Sequence, residues 1–140
     1  EAFIPGYPDW IWHIPPAQMT LNQHLYALLL EQSVVVNSED TQRVCDAAKK
    51  SRVDVVIGIN EKNIESSGSS IYNTLLFINK DGEIYGKHQK LVPTIAERTI
   101  WAYGDARTVT TYKTPLCNVG GLICWENYMP LARMAMYKQG

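Results

Sequence analysis

The chain of 140 residues contains 46% apolar and 19% charged residues, a composition typical of a soluble globular protein. A net charge of −1 gives no sign of nucleic acid or an anionic membrane as partner. No apolar run approaches the roughly 18 residues that a membrane span needs. The three cysteines, Cys45, Cys117 and Cys124, form an odd and sparse set. They argue against a disulfide framework and predict a reducing compartment, the cytoplasm.

The first half of the chain predicts a loop followed by two helices and a strand. Residues 1–18 are rich in proline and aromatic residues, and Tyr7, Trp10 and Trp12 could line a pocket or simply pack. Leucines spaced three and four residues apart predict a helix over 20–32. A second helix is predicted over 39–51, capped by Ser38 and containing Cys45 as a packing residue. The apolar run 53–60 then predicts a buried strand.

The second half predicts mostly strands. Residues 61–70 are polar and predict a loop, and segments 71–79 and 83–88 form a β-hairpin around Asp81-Gly82. A short helical turn is expected over 94–100, strands over 108–112 and 117–124, and a helix over 131–138 opened by Pro130. Helices that alternate with strands and hairpins fit a layered α/β domain.

The most informative segment runs from Gly120 to Pro130 and contains Cys124. Its apolar run predicts a buried strand that ends on a cysteine just before a helix, which is where an α/β enzyme presents a nucleophile. The positive end of a helix favours a thiolate, the reactive form of cysteine. The plainer alternative is an inert cysteine in the core.

Three blocks, in this order, resemble the nitrilase family of the carbon–nitrogen hydrolases. They are Glu1-Ala2-Phe3, Lys90-Leu91 with Pro93, and Cys124-Trp125-Glu126-Asn127. The resemblance implies an α/β fold, the four-layer αββα sandwich of that superfamily, here incomplete. Residues 1–140 would be a partial domain that lacks the first strand region and the C-terminal part. Whether such a piece folds alone is open, because its edge strands would be unpaired.

The resemblance also implies roles for individual residues. Cys124 matches the nucleophile, Glu1 the general base, and Lys90 the cation that stabilises developing negative charge. Glu97 matches a second glutamate with a positioning role. The backbone N–H of Trp125 would assist Lys90, and Trp125 and Tyr128 would border the substrate pocket. No cofactor is implied, and no close His/Cys pair has metal-ligand spacing.

Each of these residues has a plainer interpretation. Glu1 could be a solvated charge, and Lys90 could lie on an exposed basic strand edge. Glu97 could form a surface ion pair with Arg98, and Trp125 and Tyr128 could be core residues. A cysteine–histidine hydrolase is a further alternative, since in a strand over 85–90 His88 and Lys90 share a face.

The function expected from the resemblance is that of a nitrilase, which hydrolyses an organic nitrile to a carboxylic acid and ammonia. The reaction would pass through a cysteine thioimidate and an acyl-enzyme. An amidase or N-carbamoyl hydrolase would use the same residues, and an inactive fragment or non-catalytic assembly domain is the second alternative. The expected partners are a small-molecule nitrile and further copies of the chain, assembled as a dimer or spiral.

Overall fold

A computed structural model describes residues 1–65 and 68–140. Two helices lie in its first part, α1 over Met19–Gln32 and α2 over Glu39–Ser51, after a 3₁₀ turn over Asp9–Trp12. Both helices were predicted. The acidic first turn and basic last turn of α2 match the helix dipole. Ser38 stands at the N-cap of α2, but its hydroxyl makes no cap bond, so the predicted side-chain cap is wrong.

Three antiparallel strands form the main sheet in the order β1-β2-β3. They are β1 over Val55–Asn63, β2 over Ser70–Ile78 and β3 over Ile84–Gln89. The predicted hairpin is confirmed, with Gly82 in its turn at a φ of 80°. The predicted loop over 61–70 is partly wrong, because residues 61–63 continue β1 and pair with residues 70–72. Ser66 and Ser67 of that loop lie outside the described residues.

The two faces of this sheet have different surroundings. One face presents Ile59, Leu76 and Ile78 to a buried cluster with Cys45 and Ala48 of α2, so Cys45 is a packing residue as predicted. The other face presents Asn60, Asn73 and His88, which are all buried. Because successive side chains of a strand alternate between faces, helix α2 packs against one face, while Asn60, Asn73 and His88 point to the other.

The start of the chain pairs with the edge of β1 through a parallel bridge between Ile4 and Ile59. The backbone N–H groups of Phe3 and Ile4 donate to the Gly58 carbonyl oxygen at 2.8 and 3.1 Å. A Cβ at Gly58 would lie 2.7 Å from the backbone nitrogen of Ala2 and 2.9 Å from the carbonyl carbon of Glu1. Glycine at this position therefore allows Glu1 to lie directly over the sheet.

The last third of the chain contains little of the predicted strand structure. A second, two-stranded sheet pairs β4 over Tyr112–Lys113 with β5 over Asn118–Val119, and a 3₁₀ turn covers Ala106–Thr108. Within the described residues, segment 120–123 belongs to no strand ladder, although Ile123 is extended and buried. Apolar content predicted a strand here, but a strand also needs a paired neighbour. Helix α3 over Pro130–Tyr137 follows as predicted.

Among the described residues, no helix has the length and apolarity to cross a bilayer.

Candidate active site

Lys90 follows directly after β3 and is 1% exposed. Its ammonium donates to Glu1 Oε1 and to Glu97 Oε2, both at 2.6 Å. Burial lowers the pKa of Lys90, but the hydrogen bonds and charges of the two carboxylates outweigh it, and the pKa lies above its ordinary value. Lys90 therefore stays charged, so it suits the stabilisation of negative charge and not proton abstraction. The exposed basic edge considered above is wrong for this residue.

Glu1 lies on the same face of the sheet as Lys90 and Asn73. Its Oε1 atom accepts a second hydrogen bond, from Asn73 Nδ2 at 2.9 Å. Its side chain is 26% exposed, whereas that of Lys90 is almost completely buried. Glu1 is thus anchored on one oxygen and still reachable, which is the arrangement that a general base requires.

Glu97 is 2% exposed and lies on a 3₁₀ turn over Ile95–Thr99. It accepts from the backbone N–H of Thr94 at 2.7 Å and from the Tyr7 hydroxyl at 2.8 Å, in addition to Lys90. Burial, together with the bond to Glu97, raises the pKa of Tyr7, so Tyr7 remains a donor. Arg98 bonds the Pro93 carbonyl oxygen, so the surface ion pair with Glu97 is wrong.

Cys124 is exposed and begins a 3₁₀ turn over Cys124–Tyr128 with a φ of 54°. A positive φ at a residue with a side chain is uncommon and costs on the order of 1–3 kcal/mol, and such strain clusters at functional sites. This turn separates Cys124 from α3, so the sequence-based argument from the helix dipole does not apply. Cys117 is also exposed, whereas burial raises the pKa of the Cys45 thiol.

Glu126 is a residue that the sequence analysis assigned no role. It is 2% exposed and accepts from the backbone N–H groups of Leu91 and Ile123, each at 2.7 Å. Its Oε2 also lies 3.0 Å from His88 Nε2. Burial raises the pKa of Glu126, but these hydrogen bonds outweigh it and lower the pKa below its ordinary value. The carboxylate therefore links the 3₁₀ turn over Cys124–Tyr128, called the cysteine turn below, to Leu91, the residue that follows Lys90.

The sequence around Glu126 carries only half of a recognisable signal. Thr94 and Glu97, like Ile123 and Glu126, are separated by three positions, and in each pair the glutamate accepts from the earlier backbone N–H. This spacing is the glutamate half of a capping box, which requires a Ser or Thr at the first position. The isoleucine at position 123 conceals the pattern.

His88 does not serve Cys124 in this structure. The ring is 0% exposed, with Nδ1 3.2 Å from the carbonyl and hydroxyl oxygens of Thr108 and Nε2 against Glu126. Both ring nitrogens are thus engaged by other groups. The geometry does not support the cysteine–histidine alternative.

The residues expected to border the pocket are exposed, Trp125 by 62% and Tyr128 by 83%, so the alternative of plain core residues is wrong. Trp10 lines an apolar cavity of about 470 Å³ between α1 and the turn that holds Glu97, together with Met19, Tyr26, Ala96 and Ile100. Within the described ranges, no cluster of three or more His, Cys, Asp or Glu side chains could hold a metal ion.

The chain belongs to the carbon–nitrogen hydrolase family, whose family model matches residues 1–140. An aliphatic nitrilase of Sinorhizobium fredii is 40% identical, with 100% of this chain and 44% of that protein covered. A bifunctional nitrilase/nitrile hydratase of Nicotiana tabacum is 38% identical, with 100% of this chain and 40% of that protein covered. The chain thus spans less than half the length of these relatives.

Solved structures show the fold. A carbon–nitrogen hydrolase of Helicobacter pylori superposes with a TM-score of 0.64 at 24% identity, over 73% of this chain and 35% of that one. A Saccharomyces cerevisiae member of branch 10 of the nitrilase superfamily superposes with a TM-score of 0.65 at 24% identity, over 80% and 43%. The α/β fold of the nitrilase superfamily, predicted from the sequence, is confirmed.

Proposed function

We propose that the protein is a nitrilase, which converts an organic nitrile and two waters to a carboxylic acid and ammonia. The observation that supports this most is the buried Lys90 ammonium held between Glu1 and Glu97, with the cysteine turn fastened beside it through Glu126 and Leu91. Relatives named as nitrilases favour the nitrile over other carbon–nitrogen substrates.

The first half of the proposed reaction makes a covalent bond to sulfur. Glu1 takes the Cys124 thiol proton, the sulfur adds to the nitrile carbon, and the proton passes to the nitrile nitrogen, which gives a thioimidate. Water then adds to that carbon, with Glu1 accepting the water proton and returning it to nitrogen. Lys90 and the Trp125 backbone N–H stabilise the negative charge that develops, each contributing about 10²–10³ in rate.

The second half releases the products. The hydroxyl proton of the tetrahedral state passes through Glu1 to the nitrogen, and breakage of the C–N bond then expels ammonia and leaves a thioester on Cys124. A second water, activated by Glu1, hydrolyses the thioester to the acid and restores the thiol. Breakage of the C–S bond from the same tetrahedral state would instead release an amide, the product expected of the nitrile hydratase activity for which the tobacco relative is named.

The test is ammonia release from a panel of nitriles and the matching amides, measured on the complete natural protein. We expect release from nitriles with wild type and none above background with Cys124→Ala, since no other described thiol shares its strained turn beside Lys90. Chromatography of the products would measure any amide fraction.

Cys117→Ala is the matched control, because Cys117 is the other exposed cysteine among the described residues. It should retain activity, as should Cys45→Ala. Equal loss at Cys117 would contradict the assignment of the nucleophile. Ammonia release from amides alone would identify the protein as an amidase that uses the same catalytic residues.

The remaining expectations belong to the whole protein. We propose a small-molecule nitrile as substrate and a homo-oligomer, a dimer or spiral, as the assembled state, both by family resemblance. The cytoplasmic location stays a prediction from the sparse, unpaired cysteines.

A further inference from the structure

Asn73 contacts both charged partners of the candidate site from the middle of the sheet. It lies on β2, is 1% exposed and stands opposite Asn60 of β1. Its backbone carbonyl oxygen accepts from the Lys90 N–H at 2.8 Å, and its side-chain Nδ2 donates to Glu1 Oε1 at 2.9 Å. One buried side chain therefore links the strand that carries Lys90 to the carboxylate that Lys90 binds.

The orientation of the Asn73 amide follows from chemistry. An ionised carboxylate only accepts hydrogen bonds, so the NH₂ group must face Glu1 and the amide oxygen must point away. That oxygen, Oδ1, is buried and has no hydrogen-bond partner among the described residues. A buried acceptor without a partner costs about 1–3 kcal/mol. An apolar side chain would avoid this cost, so stability alone does not explain an asparagine here.

We infer that Asn73 is a positioning residue that decides which oxygen of Glu1 takes the thiol proton. Asn73 and Lys90 both donate to Oε1, so the lone pairs of that atom are already engaged by two donors. Oε2 is then the oxygen that accepts the proton from Cys124 and later from water. This inference rests on the proposed function and extends it to Asn73, which hydrogen-bonds the base Glu1 and the backbone of Lys90.

The other charged and titratable groups around Glu1 are few. Lys90 faces it from the end of β3, Glu97 lies beyond Lys90 on its turn, and the Tyr7 hydroxyl bonds Glu97. None of these groups changes when Asn73 is replaced. A shift in the acid limb of the pH profile would therefore report the loss of the Asn73 donor.

The test is Asn73→Leu in the complete natural protein. Loss of a hydrogen bond to the charged carboxylate favours its protonated form. We expect the acid limb of kcat/KM to move up by about one pH unit, with kcat about 10- to 100-fold lower and KM little changed. Asn73→Asp, which is nearly isosteric, should move the limb the same way because a second carboxylate faces Glu1.

Asn60→Leu is the matched control. Asn60 is equally buried and pairs with Asn73 across the strands, but its side chain bonds Trp101 Nε1 and the Gly6 carbonyl oxygen, not Glu1. It should lower the melting temperature and leave the acid limb at the wild-type pH. An unmoved limb in both Asn73 variants, or an equal shift in Asn60→Leu, would overturn the inference.

A second readout separates this inference from the proposed function. The rate of Cys124 alkylation by iodoacetamide, measured against pH in a Cys117→Ala background, reports proton transfer from the thiol without any nitrile. A shifted midpoint in Asn73→Asp supports the inference even if nitriles are not hydrolysed. Nitrile hydrolysis with no shift in either profile would reject the inference alone.

Discussion

Lys87 and Lys90 lie three positions apart and point to opposite faces of the sheet. Lys87 pairs with Glu61, on the face of β1 that also carries Ile59, and 38% of its side chain is exposed. Lys90 is buried on the face that holds Glu1 and Asn73. Two lysines in one short basic segment thus have separate environments, which composition alone does not distinguish.

This difference predicts unequal effects of alanine substitution. We expect Lys90→Ala to lower kcat/KM by at least about 10²-fold, because it removes the cation that stabilises the developing negative charge. Lys87→Ala should lower kcat/KM by less than about tenfold, since Lys87 pairs with Glu61 on the sheet face opposite to Glu1. Kinetics on both variants, after circular dichroism has verified folding, make the comparison. The reverse order would refute the role of Lys90.

Two 3₁₀ turns in the chain have the same backbone and hydrogen-bond arrangement. Ile95 and Cys124 have φ values of 44° and 54°, and each begins a 3₁₀ turn whose third residue is a buried glutamate. Each glutamate accepts from the backbone N–H three residues earlier. Glu97 then binds Lys90 and Glu126 binds the Leu91 N–H. The strained backbone of both turns is therefore held by carboxylates that converge on one short segment.

At the scale of elements, strand β1 positions Glu1 through Gly58. Gly58→Ala would place a methyl group against the backbone of Glu1 and Ala2, which has no freedom to rotate away. We expect about 1–3 kcal/mol of lost stability from overpacking, and about 10²-fold lower kcat/KM from displacement of the base. Thermal unfolding and steady-state kinetics measure the two effects.

Gly86→Ala is the corresponding control on β3. It lies on the same sheet face, but its Cβ would meet the ring of Tyr112, not Glu1. We expect lost stability with kcat/KM close to wild type in the folded fraction. Similar kinetic loss in both variants would mean that strain anywhere in the sheet impairs the site, and Gly58 would have no special part.

Local signals made most of the elements predictable. Leucine spacing predicted α1, the acidic and basic ends predicted α2, and Asp81-Gly82 predicted the turn between β2 and β3. The strand expected over 117–124 is confirmed only at Asn118–Val119, because apolar content does not reveal whether a neighbouring strand is present. The loop predicted over 61–70 was partly wrong for a similar reason. Pairing with β2 extends β1 to Asn63 although the local sequence is polar.

The candidate site was predictable only through the family resemblance. Glu1 and Lys90 are joined across 89 positions, Asn73 and Glu1 across 72, and Leu91 and Glu126 across 35. No local pattern reports such contacts. The resemblance supplied Glu1, Lys90, Glu97 and Cys124, but not the neutral or structural residues that hold them, since those residues take no part in the chemistry.

At the scale of the whole molecule, Glu126 is one of the buried residues that join the last third of the chain to the sheet. Glu126 connects the cysteine turn to His88 on β3 and to the Leu91 N–H, whereas α3 keeps Leu131 85% exposed and Tyr137 66% exposed. A carboxylate that receives three donors in a buried site is costly to replace.

Glu126→Gln keeps the shape of the side chain. It turns an NH₂ group toward at least one of the three donors, which are His88 and the backbone N–H groups of Leu91 and Ile123. We expect the free energy of unfolding at pH 7 to fall by about 3 kcal/mol, and Cys124 alkylation to slow. Urea titration gives the first quantity. Glu83→Gln, at an exposed hairpin position, is the control and should change stability by less than about 0.5 kcal/mol.

The pH dependence of this difference tests the electrostatic origin. The pKa of Glu126 is lower in the folded protein than in the unfolded chain, so its contribution to stability is complete above the ordinary value of 4.5. It is lost as the pH falls from there through the folded pKa, because the carboxylate then becomes protonated. The gap in unfolding free energy between wild type and Glu126→Gln should therefore narrow as the pH falls below 4.5. A gap that stays constant over this range would show that shape, not charge, accounts for the role of Glu126.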